Sequence, residues 1–219
     1  MTKGKKAALI ILALMLALAA TAAIAYSRLL YPTGEIMPGL YAIRSGGNGS
    51  PAGNFFLMQI GEKYIAIDAG GDAAQTEGEL RKLGISADEV AAVFVTHADW
   101  DHIGSLDVFD GAIIYTGNTE NSPFPDIPHQ IMSDGETVAL SGMSVQCIYA
   151  PGHTVDSVCY LIDGKYLFAG DAFFNPRYDR DLHAISREKV LGIEGVEYVF
   201  TGHFGLFKNV RFFRWFRLG

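Results

Sequence analysis

The longest apolar run in the chain, Ala7 to Ala25, carries one polar side chain, Thr21, and follows Lys3, Lys5 and Lys6. A helix of that length spans roughly 28 Å, about the thickness of a bilayer core. Because it is apolar on every side and not striped, the pattern predicts a membrane-spanning helix within residues 1–26 and disfavours a core helix. The lysines set the N-terminus on the cytoplasmic side and everything after Tyr26 on the outer face. Ala23-Ile24-Ala25 also fits the small-x-small pattern of a signal cleavage site. An uncleaved anchor and a removed signal, which would leave the domain secreted, are therefore both open.

Pro32, Gly34 and Pro38 mark residues 27–39 as a linker, and the pattern assigns residues 40–219 to one domain. Apolar runs at 39–43, 54–60 and 64–68 read as strands, the last two joined by the turn Gly61-Glu62-Lys63. Residues 73–83 have helical spacing and stop at Gly84, and 91–95 is a continuous apolar run, as expected of a strand covered on both faces. Strands are predicted again at 144–149, 157–162 and 166–169, with an Asp163-Gly164 hairpin turn between the last two. A short helix over 186–191 and a short strand over 197–200 follow. Meanders interrupted by helices predict a mixed α/β sandwich.

Composition narrows the class. The 219 residues are 49% hydrophobic and 19% charged, which excludes a largely disordered chain, and the net charge of −7 argues against a nucleic-acid binder that relies on phosphate contacts. The two cysteines, Cys147 and Cys159, are too few for a disulfide scaffold or a thiolate zinc site. They lie six residues on either side of His153, so a bridge between them and a pair of buried free thiols are both open.

The chemistry concentrates in Thr96-His97-Ala98-Asp99-Trp100-Asp101-His102, directly after the buried strand. In an extended segment His97 and Asp99 project to one side, and a turn after Trp100 can bring Asp101 and His102 round to a second point. His153 in Pro151-Gly152-His153-Thr154, Asp171 and His203 each follow a strand, and strand ends of layered α/β proteins converge on one edge. Imidazoles and carboxylates suit zinc, iron or manganese. His129 and His183 stand alone and read as packing or surface residues.

With these motifs in order, and with Ile67-Asp68-Ala69-Gly70 at an earlier strand end, the stretch from Leu40 to His203 resembles the metallo-β-lactamase superfamily. The resemblance implies a four-layer αββα sandwich with a two-metal site at one edge. Carried over residue by residue, His97, Asp99 and His153 would bind the first ion, Asp101, His102 and His203 the second, and Asp171 would bridge them. Asp68 would accept the other ring N–H of a ligand histidine. Asp99 departs from the family, which mostly has histidine there; it is similar to the acid of the flavodiiron branch, which binds iron, and of phosphocholine-esterase-like members, which bind zinc.

The function implied is a hydrolase using two divalent ions, zinc first, and a hydroxide shared between them to cleave an ester, phosphodiester, lactone or related bond, with Asp101 orienting the nucleophile or moving its proton. The alternatives are an iron-dependent oxygen- or sulfur-oxidising member and a non-catalytic binding module. The loops around Gly46–Gly53, Asn118–His129 and Ala172–Arg180 would form the pocket for a small-molecule or envelope-derived substrate, with Trp100, Phe173, Phe174 and Tyr178 as an aromatic wall and Arg177 and Arg180 as anion partners. The segment 207–217 mixes cations with aromatics, and reads either as lying on an anionic leaflet or as a terminal helix packed on the sandwich.

Overall fold

In the computed structural model, which describes residues 5–6, 10–18, 21, 30–46, 52–118 and 120–203, the apolar runs are long because most strands are covered on both faces. In β3 (Gly53–Ile60), Phe56, Met58 and Ile60 enter the core between two sheets, while Phe55 and Leu57 enter a second core under a helix. In β10 (Val158–Ile162), Val158, Tyr160 and Ile162 face the central core, and Cys159 and Leu161 face a third. With side chains alternating at period two, this double coverage removes the polar positions that a half-exposed strand would show.

The first sheet has seven strands in sequence order: β1 (Gly34–Met37), β2 (Leu40–Ser45), β3, β4 (Lys63–Ile67), β5 (Val90–Phe94), β6 (Ile113–Thr116) and β7 (Gln130–Ile131). The second has five, ordered β12 (Tyr198–Phe200), β11 (Tyr166–Phe168), β10, β9 (Met143–Tyr149) and β8 (Thr137–Leu140). Helix α1 (Ala73–Leu83) places Leu80 on the outer face of the first sheet, and α3 (Arg180–Leu191) places Val190 and Leu191 on the outer face of the second. The layers are therefore α, β, β, α. Asp72 and Asp179 cap these helices by accepting from Gln75 N and Leu182 N, each at 2.8 Å, a contribution of about 1 kcal/mol apiece. The short α2 (Trp100–Ile103) lies between β5 and β6.

The two sheets are joined at one end. Asn54 N donates to Gly202 O at 2.7 Å, Val158 N to Thr96 O at 2.8 Å, and the buried Tyr160 hydroxyl to Val95 O at 2.9 Å. These bonds fix the spacing of the strand ends that carry the site.

Several expectations change. Residues 34–37 of the expected linker are β1, paired antiparallel with β2, and Leu30 is buried. The helix expected at 186–191 begins at Arg180. Strands β6, β7 and β8 are too short or too exposed to show a clear run. Cys147 pairs opposite Tyr160 and Cys159 opposite Ile148, so the two thiols project from opposite faces of the sheet; both are buried and free. Residues 10–18 are helical and their large apolar side chains are exposed, but no helix of the described residues is long and apolar enough to cross a membrane. The rest of the N-terminal run except 5–6 and 21, most of the Gly46–Gly53 loop and the segment 207–217 lie outside the described residues.

Candidate metal centre

The site forms at the joined end, where β4, β5, β9, β11 and β12 stop. His97 follows β5; Asp99 precedes α2, and Asp101 and His102 lie on its single turn, so the turn expected after Trp100 is a helix. His153 comes from the loop between β9 and β10, Asp171 from the end of β11 and His203 from the end of β12. Gly202 permits the closest approach: a Cβ there would stand 2.8 Å from His102 Cε1 and 3.1 Å from Asp171 Oδ1.

The seven side chains meet in three overlapping groups, His97–Asp99–His153, His97–His102–Asp171 and Asp101–His102–His203, whose ligand atoms lie within 4.8 Å of one another. In the first corner Asp99 Oδ2 is 3.3 Å from His97 Nε2 and 3.2 Å from His153 Nε2. In the second, Asp101 Oδ2 is 3.0 Å from His203 Nε2 and 3.9 Å from His102 Nε2. Asp171 faces both, with Oδ2 3.6 Å from His153 Nε2 and 3.4 Å from His203 Nε2, and Oδ1 3.8 Å from His102 Nε2.

These residues fit a metal. A first-row ion bound at about 2.0–2.1 Å in tetrahedral geometry separates its donors by about 3.3 Å. The buried atoms His97 Nε2 and Asp171 Oδ1 have no hydrogen-bond partner, an arrangement that costs about 1–3 kcal/mol per group unless something accepts the lone pair. A cation at each corner would do so.

Backbone and side-chain contacts hold the rings from behind. His153 Nδ1 donates to Asn175 O at 2.7 Å and His203 Nδ1 to Ala52 O at 3.1 Å, which leaves Nε2 of each facing the centre. Asp68, buried in a left-handed conformation (φ 64°) just past β4, reaches His102 Nδ1 with Oδ2 at 2.8 Å. Its carboxylate also accepts from Thr96 N at 2.7 Å and from the Thr96 hydroxyl. Burial opposes charge on His102, but the charge of Asp68, its hydrogen bond and the other acids raise the imidazole to about 10. Ligation needs the neutral ring, so a cation taken up there displaces a proton.

Burial works to raise both carboxylates, and the groups around them outweigh it. Asp101 is lowered to about 2 by His203 and by the charge of His102, and Asp99 is held far below the usual carboxylate range by His153, His97 and Arg177. Arg177 donates to Asp99 Oδ2, the oxygen that faces the first corner.

Three supporting residues were not singled out from the pattern. Thr96 opens the motif itself and links Asp68 to His97 Nδ1 at 3.1 Å. Asp156 accepts from Ala98 N at 2.9 Å and from the Ser122 hydroxyl at 2.8 Å, tying the His97 loop to the His153 loop; its place three residues after His153 was the available signal. Asn175 acts through its carbonyl oxygen, which no side-chain pattern reveals. Of the expected aromatic wall, Phe173 is buried in the core under α3 and Phe174 packs against it, whereas Trp100 and Tyr178 are exposed. Arg180 begins α3 and is exposed. His183 is buried and His129 binds Ile127 O at 2.8 Å; neither is among the three ligand groups.

A two-sheet sandwich with imidazoles and carboxylates gathered at one edge defines a metal-binding α/β protein, and sequence comparison gives the family. The profile of the metallo-beta-lactamase superfamily matches residues 49–203, and the chain belongs to that superfamily. It is 32% identical over 153 residues to a hydroxyacylglutathione hydrolase of Glaesserella parasuis, covering 64% of this chain and 63% of the relative. It is 29% identical over 123 residues to the lactamase-like protein adaB of Aspergillus niger, covering 54% and 38% respectively. The matches thus span less than two thirds of these relatives' own length. Among solved structures, a metallo-beta-lactamase family protein of Thermus thermophilus superposes with a TM-score of 0.67 at 21% identity, over 81% of this chain and 77% of that one. At that identity the likeness concerns the fold.

Proposed function

We propose that this chain is a hydrolase with two divalent ions, zinc in both corners, that cleaves an acyl bond of the ester or thioester class. The observation that carries the reading is the convergence of seven ligand-capable side chains with His97 Nε2 and Asp171 Oδ1 buried and unpartnered. His97, Asp99 and His153 would hold one ion, Asp101, His102 and His203 the other, and Asp171 both. The ions, when bound, supply Lewis acidity and lower the pKa of water toward neutrality.

The chain's own residues do the rest. Asp101, ionised at neutral pH, is positioned to accept a hydrogen bond from the attacking water and so orient it. Asp68 fixes the ring plane of His102 through Nδ1. Arg177, at the mouth, donates to Asp99 Oδ2 and so offsets the charge of that carboxylate where substrate enters. The choice of acyl bonds draws on relatives whose names state a hydroxyacylglutathione hydrolase and, at 26% identity over 124 residues, an atrochrysone carboxyl ACP thioesterase of Aspergillus fumigatus.

Elemental analysis of the zinc-reconstituted protein should find close to two ions per chain, and chelation should abolish hydrolysis of a panel of esters and thioesters. Less than half an equivalent of any transition metal would overturn the reading, as would iron with dioxygen uptake. We further place the domain on the outer face of a membrane, held by the apolar run 7–25; protease added to intact cells should reach it.

A further inference from the structure

An apolar trough of about 1040 Å³ opens beside the first ligand corner, at the top of the range of about 300–1,000 Å³ usual for small-molecule sites. Leu106, Phe109 and Ile114 line its floor, and all three are buried members of the core under the first sheet, so the floor is rigid. Pro125 and Ile127, from the loop between β6 and β7, form the facing wall. At the mouth stand Asp99, whose Oδ2 faces the ligand corner, and Trp100, 65% exposed. The indole lies over Gly104, where a Cβ would come within 2.8 Å of Trp100 Cε2, so the glycine lets the ring lie down at the entrance. Among the described residues no basic side chain lines the trough; its charged members are Asp99 and the exposed Asp107 and Asp110.

We propose that this trough receives an uncharged apolar chain of the substrate, so that the bond to be cleaved lies at the His/Asp centre and its apolar part extends past Trp100. The inference rests on the hydrolase reading and adds the substrate's class: a neutral, long-chain or extended apolar acyl ester or thioester. Two features select this occupant. The trough is continuous with Asp99, a residue of the ligand corner, which a surface reserved for another protein would not require. Asp99 is paired with Arg177, but no basic residue of the lining faces the exposed Asp107 and Asp110, so an acyl chain ending in its own carboxylate is repelled by these two while a neutral one is not.

The test uses the full chain loaded with zinc and a series of straight-chain acyl thioesters from two to twelve carbons. The expected result is a kcat/KM that climbs about fourfold per added methylene until the trough is filled, as burial of apolar surface predicts. Chains of equal length ending in a carboxylate should lose that gain. Ala112→Trp, which fills the trough, and Ile127→Asp, which puts a charge on its wall, should each flatten the slope of kcat/KM against chain length. A flat series in the unaltered protein, or the same slope in both folded variants, would overturn the proposal. Binding of a neutral fluorescent alkyl amide to the chelated protein separates the two readings. If neither the thioesters nor the corresponding esters are cleaved, the hydrolase reading fails, while probe binding that Ala112→Trp abolishes still supports an apolar-chain site; no binding to the unaltered protein removes it.

Discussion

The two corners of the candidate metal centre draw on the same donor types but are supported differently. The second is backed by the interior: His102 and Asp68 are buried, their hydrogen bond is 2.8 Å, and Thr96 and Gly202 pack around them. In the first, His97 and His153 are as deeply buried, but the third donor, Asp99, stands at the mouth against the half-exposed Arg177 and the trough. In the second corner His102 is thus held in place by the fold, whereas the first includes a carboxylate with a competing partner. Preorganisation belongs to one side of the centre and adjustability to the other, next to where substrate enters.

The largest expected effect comes from the residue that the corners share. Asp171→Ala removes the carboxylate facing both and should leave neither ion firmly held, with nearly all hydrolysis lost; elemental analysis finding two ions would contradict the shared role. Asp99→Ala should act on one side only, losing the first ion and most activity while the second stays. Asp99→His should keep both ions and alter rate, because it restores a neutral ligand while leaving Arg177 without its carboxylate. Full retention of two ions in Asp99→Ala would show that Asp99 is not a ligand.

This asymmetry was only partly legible in the sequence. The candidate ligands are local in sequence or follow recognisable strands, so their order and the layered architecture could be read from Thr96 to His203. What surrounds them could not. Arg177 lies seventy-eight positions from Asp99 in the chain, and only the fold brings them together. The carbonyls of Asn175 and Ala52 carry no side-chain signature, and the trough is a cavity between a loop of prolines and a 3-10 turn with no periodicity. Strands β6 to β8 escaped because they are short and, in β7 and β8, largely exposed, so no bounded apolar run marks them. Phe173 shows the converse error: a loop aromatic close to a site was read as a wall and is a core residue.

The next effect tests how far the interior fixes the second corner. Asp68→Ala removes the acceptor of the His102 Nδ1 proton and should lower metal affinity or activity by about 10–100-fold, as loss of such supporting contacts does elsewhere. The loss should fall on the second ion, read by competition with a chromophoric chelator that resolves the two binding steps. Equal weakening of both ions would mean that Asp68 supports the whole strand end and not His102 in particular.

The smallest effect concerns Arg177, and its sign distinguishes two roles. The guanidinium donates to Asp99 Oδ2, the same oxygen that faces His97 and His153, so an ion entering the first corner competes with it for that atom. Arg177 is 47% exposed at its side chain, which places the pair among ion pairs of about 0.2–1 kcal/mol. Arg177→Ala should therefore tighten the first ion by about 1.5–5-fold and leave the second unchanged. Raising the salt concentration should bring the unaltered protein toward the variant, because screening weakens the competing pair. If Arg177 instead holds Asp99 in its ligating position, the variant should bind the first ion more weakly at every salt concentration, and the first corner would be as preorganised as the second.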